Sequence, residues 1–511
     1  MSDSWARAAL ATAAASVVAV FIILPQCVGR FSGDAMIHLT FAERLASRNV
    51  IQFNGDESSA GTTSLLWNLI EARLLSSLSL PTALWAISGL CLAAWIATGF
   101  VAFRIARDLG AGTGAAVLSF CVVVAMPGTI ANAPLGMESP LFALLVALAL
   151  RNVDRLGQPS HVQSFGAAMG YGALSGVMAW LRPEGLIVAG IALLWLGACK
   201  QWRALALSLL FVTIIGAAIL SFHVHATGQW LPGSGVARVA AARRDSLSVH
   251  VGPVWMYGRP ISRLLGYAFF FAPSMLMLAP RSLVFSRCNS RGRVMAAAAL
   301  AGVLLYSFVT GAAHTGRYIM WMWAIMVPLS VAALERTSRA WAPLFAAVNF
   351  IAVGAAESLA RGRDPAQTGG VSIAKLVLSA SQRAEVTDQV IAAIGRHEGP
   401  MPRLGFVEVQ ARWSVDDRVS IESLDGRTSD SLHPMRFDVD GCPMVWAEPP
   451  RNIVLFESIR GVAPQCRFPS WVDAFEKARS LAASDSNCWR RIETKPWSLG
   501  LIWTGSCDSA R

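Results

Sequence analysis

The amino-acid sequence predicts a polytopic α-helical membrane protein with about eleven transmembrane helices, followed by a small α/β domain outside the cytoplasm. Composition and spacing both favour this fold class. Hydrophobic residues make up 54% of the 511 residues and charged residues only 15%, with a mean hydropathy of +0.49. A soluble domain carries about a quarter charged residues. Between Leu10 and Leu359 the apolar residues fall into windows of roughly 17–25 residues, which are long enough to span a bilayer.

Residues 1–357 are predicted to form the transmembrane part. The apolar window that begins at Leu10 lacks a small-x-small cleavage site, so we expect an uncleaved first helix. The segment Ser64–Leu78 is apolar but contains Glu71 and Arg73, and we expect it to form a helix that lies in the membrane interface. The eleven spans are expected near residues 8–26, 82–104, 112–131, 139–151, 164–181, 185–199, 204–223, 263–280, 294–312, 318–335 and 340–357.

The net charge of +11 predicts an orientation in the membrane and does not indicate a nucleic-acid partner. Its arginines lie in short loops between apolar windows, and loops rich in Lys and Arg are typically cytoplasmic. If the N-terminus is cytoplasmic, the odd number of spans places residues 358–511 outside. Residues 27–81 and 224–262 then form two long outer loops. The basic loops contain Arg104 and Arg107, Arg151 and Arg155, Lys200 and Arg203, Arg281 to Arg293, and Arg336 and Arg339.

The tail, residues 358–511, is soluble in composition. Short apolar runs at Leu404–Val409 and Ile453–Phe456 indicate strands, and Ser470–Ala483 indicates a helix. Four of the nine cysteines lie in the tail without a C-x-x-C motif, which argues against zinc. An even set outside the cytoplasm favours two disulfides over four separate thiols. Pairing between nearest neighbours predicts the bonds Cys442–Cys466 and Cys488–Cys507.

The most informative stretch lies in the first outer loop, from Ser32 to Trp67. Asp34 opens a helical pattern of apolar residues, and His38 follows one turn later on the same flank. A carboxylate beside an imidazole at the mouth of a helix bundle fits a general base. The alternative is that Asp34 only caps the helix.

This stretch resembles the first outer loop of GT-C glycosyltransferases, specifically the bacterial multi-pass family that includes the mycobacterial terminal arabinofuranosyltransferases. Protein O-mannosyltransferases and lipid A aminoarabinose transferases share the architecture more distantly. The matching loop residues are Asp34-Ala35, Ile37, Phe41-Ala42, Leu45, Phe53-Asn54-Gly55, Gly61, Thr63-Ser64 and Leu66-Trp67. Similar motifs follow in family order at Leu135–Ser139, Leu181–Gly185, Trp230–Pro232, Gly316–Tyr318 and Gly405–Val409. Five motifs in order, all on one predicted side of the membrane, make the resemblance specific.

The resemblance implies that a polyprenyl-phosphate sugar is the donor and that Asp34 is the base. Arg182 and Arg317 lie at outer helix ends, where a guanidinium group can hold phosphate oxygens. Glu138 and Glu184 could bind sugar hydroxyls or support Asp34. The alternative is that the arginines snorkel, or pair with these two glutamates.

The 18 tryptophans are mostly typical of the aromatic belt at the membrane interface, as at Trp321 and Trp323. Trp67 and Trp230 lie in outer loops beside the motifs, where they could stack on a sugar or a prenyl chain. The sequence departs from the family at Gly33, which replaces the first Asp of an acidic pair. We predict no cofactor. A divalent metal is the alternative, which Gly33 disfavours because a hard cation prefers several oxygen ligands.

Together these features predict an inverting glycosyltransferase of the bacterial cytoplasmic membrane. Its expected partners are the polyprenyl-phosphate donor, an envelope glycan, lipid or protein acceptor, and membrane lipids. A transporter or flippase for lipid-linked sugars is the alternative, but the polar motifs lie at outer helix ends and not at the bilayer midplane, which favours transfer. Gly33 motivates a further alternative, a degenerate member that acts as a scaffold.

Overall fold

The computed structural model describes residues 20–53, 64–157, 165–228, 292–305, 315–318, 320–337 and 371–394, with a few positions between them and five short strands after residue 402. The predicted spans 263–280 and 340–357 lie outside the described residues. So do the predicted helix Ser470–Ala483 and the cysteines Cys442, Cys466, Cys488 and Cys507.

Within the described residues the chain is almost entirely helical up to residue 394. The helices are α1 (Ser16–Cys27), α2 (Gly33–Arg48), α3 (Leu65–Ser77), α4 (Leu80–Asp108), α5 (Thr113–Ala125), α6 (Pro127–Asn132), α7 (Ser139–Leu156), α8 (Phe165–Leu181), α9 (Glu184–Ala198), α10 (Trp202–Thr227), α11 (Arg293–Leu304), α12 (Thr315–Tyr318), α13 (Met320–Thr337) and α14 (Ile373–Ile394). The helix expected at 64–78 is confirmed as α3. Its 13 residues extend about 20 Å, less than the roughly 30 Å of a bilayer core.

Two of the described helices, α4 and α10, are long and apolar enough to cross a membrane. Shorter apolar helices follow the predicted spans, among them α5, α8, α9, α11 and most of α13. Only 6% of the most apolar window of α10 is buried. A helix that is apolar all round and unburied fits contact with lipid.

The predicted span 112–131 is not one continuous helix. Helix α5 ends at Ala125 and α6 begins at Pro127, with Met126 in a non-helical conformation between them. A residue that precedes proline is disfavoured in the α region because its backbone clashes with the proline ring. The single-span prediction was wrong at this point.

The core of the bundle forms where α13 packs against α4, α5 and α7. Trp95, Phe142, Trp321 and Trp323 are buried in it, and Phe142 contacts Trp321 edge to face at 6.4 Å between ring centroids. The prediction that Trp321 and Trp323 belong to an interfacial belt was therefore wrong, because both rings fill the protein interior.

Helices α8 and α10 approach each other closely along their length. A Cβ atom at Gly172 would lie 2.6 Å from the carbonyl oxygen of Ser208, and one at Gly176 would lie 2.9 Å from Cβ of Ile215. The two glycines are four residues apart, so they share one face of α8. Small residues at this spacing let helix backbones pack together in a membrane.

The start of the tail is joined to the first outer loop by a two-stranded sheet. Strand β1 (Arg30–Phe31) pairs antiparallel with β2 (Val371–Ser372), and the amide of Ile373 donates to the carbonyl of Gly29 at 2.8 Å. Helix α14 follows directly. The segment that follows α1 and the start of the tail therefore lie at the same end of the molecule.

The described strands of the tail form one mixed sheet. They are β3 (Arg403–Phe406), β4 (Ser420–Ser423), β5 (Asn452–Phe456), β6 (Trp489–Ile492) and β7 (Gly500–Trp503), in the order β4-β3-β5-β7-β6. β3 is parallel to both neighbours, whereas β7 is antiparallel to β5 and β6. The strands expected at 404–409 and 453–456 correspond to β3 and β5.

Candidate functional site

Several helix ends meet around one cluster of charged side chains. Helix α2 begins there, as do α7 and α9, while α8 and the short helix α12 end there. Six residues singled out in the sequence lie in this cluster, namely Asp34, His38, Glu138, Arg182, Glu184 and Arg317.

Asp34 lies in the first turn of α2 but does not cap the helix. The N-cap is Ser32, whose hydroxyl accepts a hydrogen bond from the amide of Ala35 at 3.2 Å. The capping interpretation of Asp34 is therefore wrong. Its side chain, 28% exposed, accepts a hydrogen bond from Nη2 of Arg317. Asp34 is thus a partly accessible carboxylate held by an arginine.

Arg182 is buried and is surrounded by oxygen acceptors. Its Nη1 donates to Oε1 of Glu138 at 2.8 Å and to Oγ of Ser139 at 2.9 Å, and its Nη2 donates to Oε1 of Glu184 at 3.1 Å. One guanidinium group thus joins the N-terminal ends of α7 and α9. This arrangement matches the alternative in which the arginine pairs with both glutamates.

His38 lies between Glu138 and helix α3. Its Nε2 is 3.6 Å from Oε2 of Glu138, which is too long for a hydrogen bond. The amide of Asn68 donates to the carbonyl of His38 at 2.8 Å. Burial lowers the pKa of His38, and the carboxylates of Glu138 and Asp34 only partly offset this. The imidazole is therefore neutral at neutral pH.

Tyr318 lies beside both arginines. Its ring lies 4.6 Å from the guanidinium carbon of Arg182 and 5.0 Å from that of Arg317. An aromatic face offsets two positive charges without forming a salt bridge with either. The sequence contained a signal for this role, since Tyr318 follows Arg317 directly in the motif.

The whole chain is similar to two crystal structures of ArnT from Cupriavidus metallidurans. Against ArnT bound to undecaprenyl phosphate the TM-score is 0.56 at 14% identity, with 98% of each chain covered. Against ArnT in the apo state it is 0.54 at 13% identity, with 95% of this chain and 96% of that chain covered. The chain has the ArnT fold.

The shared fold agrees with the predicted, mostly helical architecture. No family model matches this chain, and no curated protein matches it significantly. The narrower resemblance to arabinofuranosyl- and O-mannosyltransferases stays a prediction from the loop motifs.

The two tryptophans proposed for stacking differ within this ArnT-like fold. Trp67 is fully buried, and its indole donates to the carbonyl of Gly136 at 3.2 Å, so no ring face is left for a sugar. Gly136 has φ +75°, and a Cβ atom there would lie 2.3 Å from the ring of Phe31. Trp67 therefore stabilises the turn at Gly136, which lies two residues before Glu138. Trp230 is 70% exposed just beyond α10 and remains open to a ligand.

Glu71 is a residue near the cluster that the sequence analysis interpreted differently. It was taken as a sign of a membrane interface, but its side chain is fully buried in the protein. Neither of its carboxylate oxygens has a hydrogen-bond partner among the described residues. Burial, and then the charge of Glu138, raise the pKa of Glu71 well above its usual value, and the nearby indole of Trp67 lowers it only partly. Burial and the charge of Glu138 thus both favour the protonated form of Glu71.

In the described part of the chain, no group of three or more His, Cys, Asp or Glu side chains is arranged to bind a metal ion. The carboxylates of the cluster point at Arg182 and Arg317 instead. Their oxygens therefore do not form the shared set of ligands that a hard cation needs.

Proposed function

We propose that this protein is a membrane glycosyltransferase that moves a sugar from a polyprenyl-phosphate carrier to a hydroxyl group of an envelope glycan, lipid or protein. One observation carries the proposal. Asp34 of the Ser32–Trp67 stretch and Arg317 of the Gly316–Tyr318 motif, 283 residues apart, meet in one ion pair at a cluster of helix ends. The fold shared with ArnT, which was crystallised with undecaprenyl phosphate, supports the class of donor.

The surroundings of the two arginines support different roles. Arg182 is bound to Glu138 and Glu184, so its charge is already balanced by two carboxylates. Arg317 pairs with Asp34, whose side chain is partly exposed. An incoming phosphate can therefore share the charge of Arg317 more readily. We assign the donor phosphate to Arg317 and the positioning of Glu138 and Glu184 to Arg182.

The chemistry needs one base and one group that stabilises the leaving phosphate. Asp34 takes the proton of the acceptor hydroxyl while the hydroxyl oxygen attacks the anomeric carbon of the sugar. The bond between this carbon and the phosphate oxygen breaks, and its electron pair leaves with the polyprenyl phosphate. Arg317 offsets the second negative charge that the phosphate gains. Attack opposite the phosphate inverts the configuration.

Donor binding and base activation are coupled in this scheme. While Arg317 binds Asp34, the guanidinium charge stabilises the carboxylate and lowers its basicity. When the phosphate takes over part of that charge, Asp34 becomes a stronger base. The neutral imidazole of His38 lies one turn after Asp34 on α2. Together with Glu138 it lines the site.

We further propose that the protein lies in the bacterial cytoplasmic membrane with its N-terminus in the cytoplasm. The distribution of arginines supports this orientation. Residues 1–357 then form the membrane part and residues 358–511 the outer domain. The charges gather at helix ends and not at a midplane break, which supports transfer over transport.

The substitution Asp34→Asn tests the function. It removes the base but leaves the N-cap at Ser32 intact, so the helix is preserved. Transfer of radiolabelled sugar into envelope material should fall by about 10²–10⁴-fold, with membrane insertion unchanged. The matched control is Ser32→Ala, which should cost about 1 kcal/mol of stability and retain transfer. Normal transfer by the Asp34→Asn protein would remove Asp34 as the base, whereas absence of transfer by the parent chain would favour the scaffold or transporter alternative.

A further inference from the structure

The imidazole of His38 is buried close to the proposed base, among groups that act on its charge. These groups are Asp34 of the same helix, Glu138 at the start of α7 and Arg317 of α12, while α3 contributes Asn68. Burial opposes a charge on the ring, but both carboxylates favour one. A charged ring would place a second cation near Asp34 and weaken it as a base. The protonation of His38 therefore bears on the proposed chemistry.

The side-chain amide of Asn68 has a defined orientation behind this ring. The hydroxyl of Thr62 accepts a hydrogen bond from the backbone amide of Ser64 at 3.3 Å and donates its own hydrogen to Oδ1 of Asn68. On the other side, Nδ2 of Asn68 donates to the backbone carbonyl of His38 at 2.8 Å. A hydroxyl hydrogen needs an acceptor and a carbonyl needs a donor, so both contacts assign the same oxygen and nitrogen. Asn68 and Thr62 are both buried.

The nitrogen of this amide also faces the imidazole. Nδ2 of Asn68 lies 3.5 Å from Nδ1 of His38. Since Nδ2 can only donate, Nδ1 presents its lone pair, and the ring proton lies on Nε2. Nε2 is 3.6 Å from Oε2 of Glu138, an oxygen without a hydrogen-bond partner among the described residues. A second proton, on Nδ1, would point at a donor.

An amide oxygen in the same place would have the opposite effect. It would accept a hydrogen bond from a protonated Nδ1 and raise the pKa of the imidazole. The oxygen of Asn68 is held by Thr62 instead, on the side away from His38. The amide thus excludes the second proton from one side of the ring, while Glu138 favours the first proton on the other side.

We propose that Asn68 is a positioning residue, whose amide holds the single proton of His38 on Nε2 and keeps the ring beside Asp34 uncharged. The proposal rests on the glycosyltransferase function, because an uncharged ring preserves the strength of Asp34 as a base. Asn68 acts only through His38.

Two substitutions at one position separate charge from packing. Asn68→Leu and Asn68→Asp resemble asparagine in size, and both lose the hydrogen bond to the carbonyl of His38. Only aspartate offers an acceptor to a proton on Nδ1. As the pH falls, the ring should gain its second proton first in Asn68→Asp, next in Asn68→Leu and last in the parent. The matched control is Asn152→Asp, since the amide of Asn152 likewise donates to a backbone carbonyl, that of Ala167 at 2.9 Å, near the other end of α7.

Nitrogen NMR of the full chain, labelled with ¹⁵N-histidine and placed in lipid bilayers, measures the ring directly. Of the eight histidines, the one whose signals disappear in His38→Gln is His38. At pH 7 the parent and Asn152→Asp should show a protonated Nε2 and an unprotonated Nδ1. In Asn68→Asp the titration midpoint should lie at least about one pH unit higher than in the parent. A parent with its proton on Nδ1, or equal midpoints in the parent and both Asn68 variants, overturns the proposal.

The rate of sugar transfer tests the consequence for the base. Transfer by Asn68→Asp should fall roughly tenfold at pH 7 and should approach the parent rate by pH 9, as the ring loses its charge. In a His38→Gln background the same substitution should reduce the rate no further, because the group through which it acts is gone. A loss that persists in that background, or that does not depend on pH, overturns the positioning role. Absence of transfer by the parent would overturn the proposed function, whereas the NMR result tests Asn68 independently.

Discussion

At the scale of single residues, the two arginines of the charged cluster, Arg182 and Arg317, have different surroundings. Arg182 lies in the interior and makes hydrogen bonds to three side chains of α7 and α9. Arg317 pairs with the partly exposed Asp34 and faces the ring of Tyr318. An arginine that fixes helix ends and an arginine that meets a ligand should respond differently to substitution.

Arg317→Lys should reduce transfer by about 10²-fold, the usual effect of removing one charged donor from a reacting centre. Lysine keeps the charge but loses the planar group that bonds Asp34 and packs on Tyr318. The measurement is the initial rate of sugar transfer in isolated membranes. Arg151→Lys is the control, because Arg151 pairs with Asp108 at 2.7 Å on the opposite end of the bundle. Equal rates for both variants would remove Arg317 from the proposed mechanism.

Glu71→Gln should change how stability depends on pH. A raised pKa means that folded Glu71 holds its proton more tightly than the unfolded chain does. The stability it contributes is therefore full below its usual pKa of 4.5 and is lost as the pH rises towards the folded value. Glutamine stays neutral, so the melting temperature of the variant relative to the parent should increase from pH 5 to pH 9.

Differential scanning fluorimetry of the purified protein at both pH values measures this shift. Glu385→Gln, at an exposed position of α14, should follow the parent at both. A Glu71→Gln difference that stays constant with pH would mean that Glu71 is ionised in the folded protein.

The members of the site could be predicted from the sequence, but their pairing could not. Asp34, Glu138, Arg182 and Arg317 stand out because a charge at the end of an apolar window is unusual. Which carboxylate meets which arginine depends on packing between residues 44 and 283 positions apart. Glu71 was misinterpreted because an acid in an apolar run has the same sequence pattern at an interface as in the interior.

At the scale of helices, residue type predicts most of the elements, and contacts between helices determine the rest. The apolar windows correctly located α4, α8, α9 and α10, since a run of apolar residues this long has few other stable conformations in a bilayer. The break at Met126 is local and was signalled by Pro127. The close approach of α8 and α10 is a property of two helices together.

Gly172→Ala should destabilise the protein by about 1–3 kcal/mol, because the added methyl group would lie 2.6 Å from a backbone oxygen of α10. The control is Gly170→Ala, two residues earlier on the same helix, where a Cβ atom meets nothing within 4 Å. Alanine favours helix by up to about 1 kcal/mol over glycine, so this variant should be at least as stable as the parent. Thermal unfolding of the two variants in detergent measures the difference. Equal destabilisation would show that α8 and α10 do not pack through this face.

At the scale of the whole molecule, the pairing of β1 with β2 requires the first outer loop and the tail to share one side of the membrane. The positive-inside distribution of arginines predicts that this side lies outside the cytoplasm. Alkaline phosphatase fused after Arg511 should therefore be active, and a fusion after Arg291 should be inactive. The reverse pattern of activity would invert the orientation and place the proposed site in the cytoplasm.

The link between β1 and β2 also bears on how the protein is made. Translation delivers Arg30 and Phe31 early, whereas their partners Val371 and Ser372 emerge only after nearly all the membrane helices have been inserted. During that interval β1 has no partner strand. A chain that ends before Val371 therefore cannot form the β1–β2 sheet, and the segment that follows α1 stays without this link to the tail.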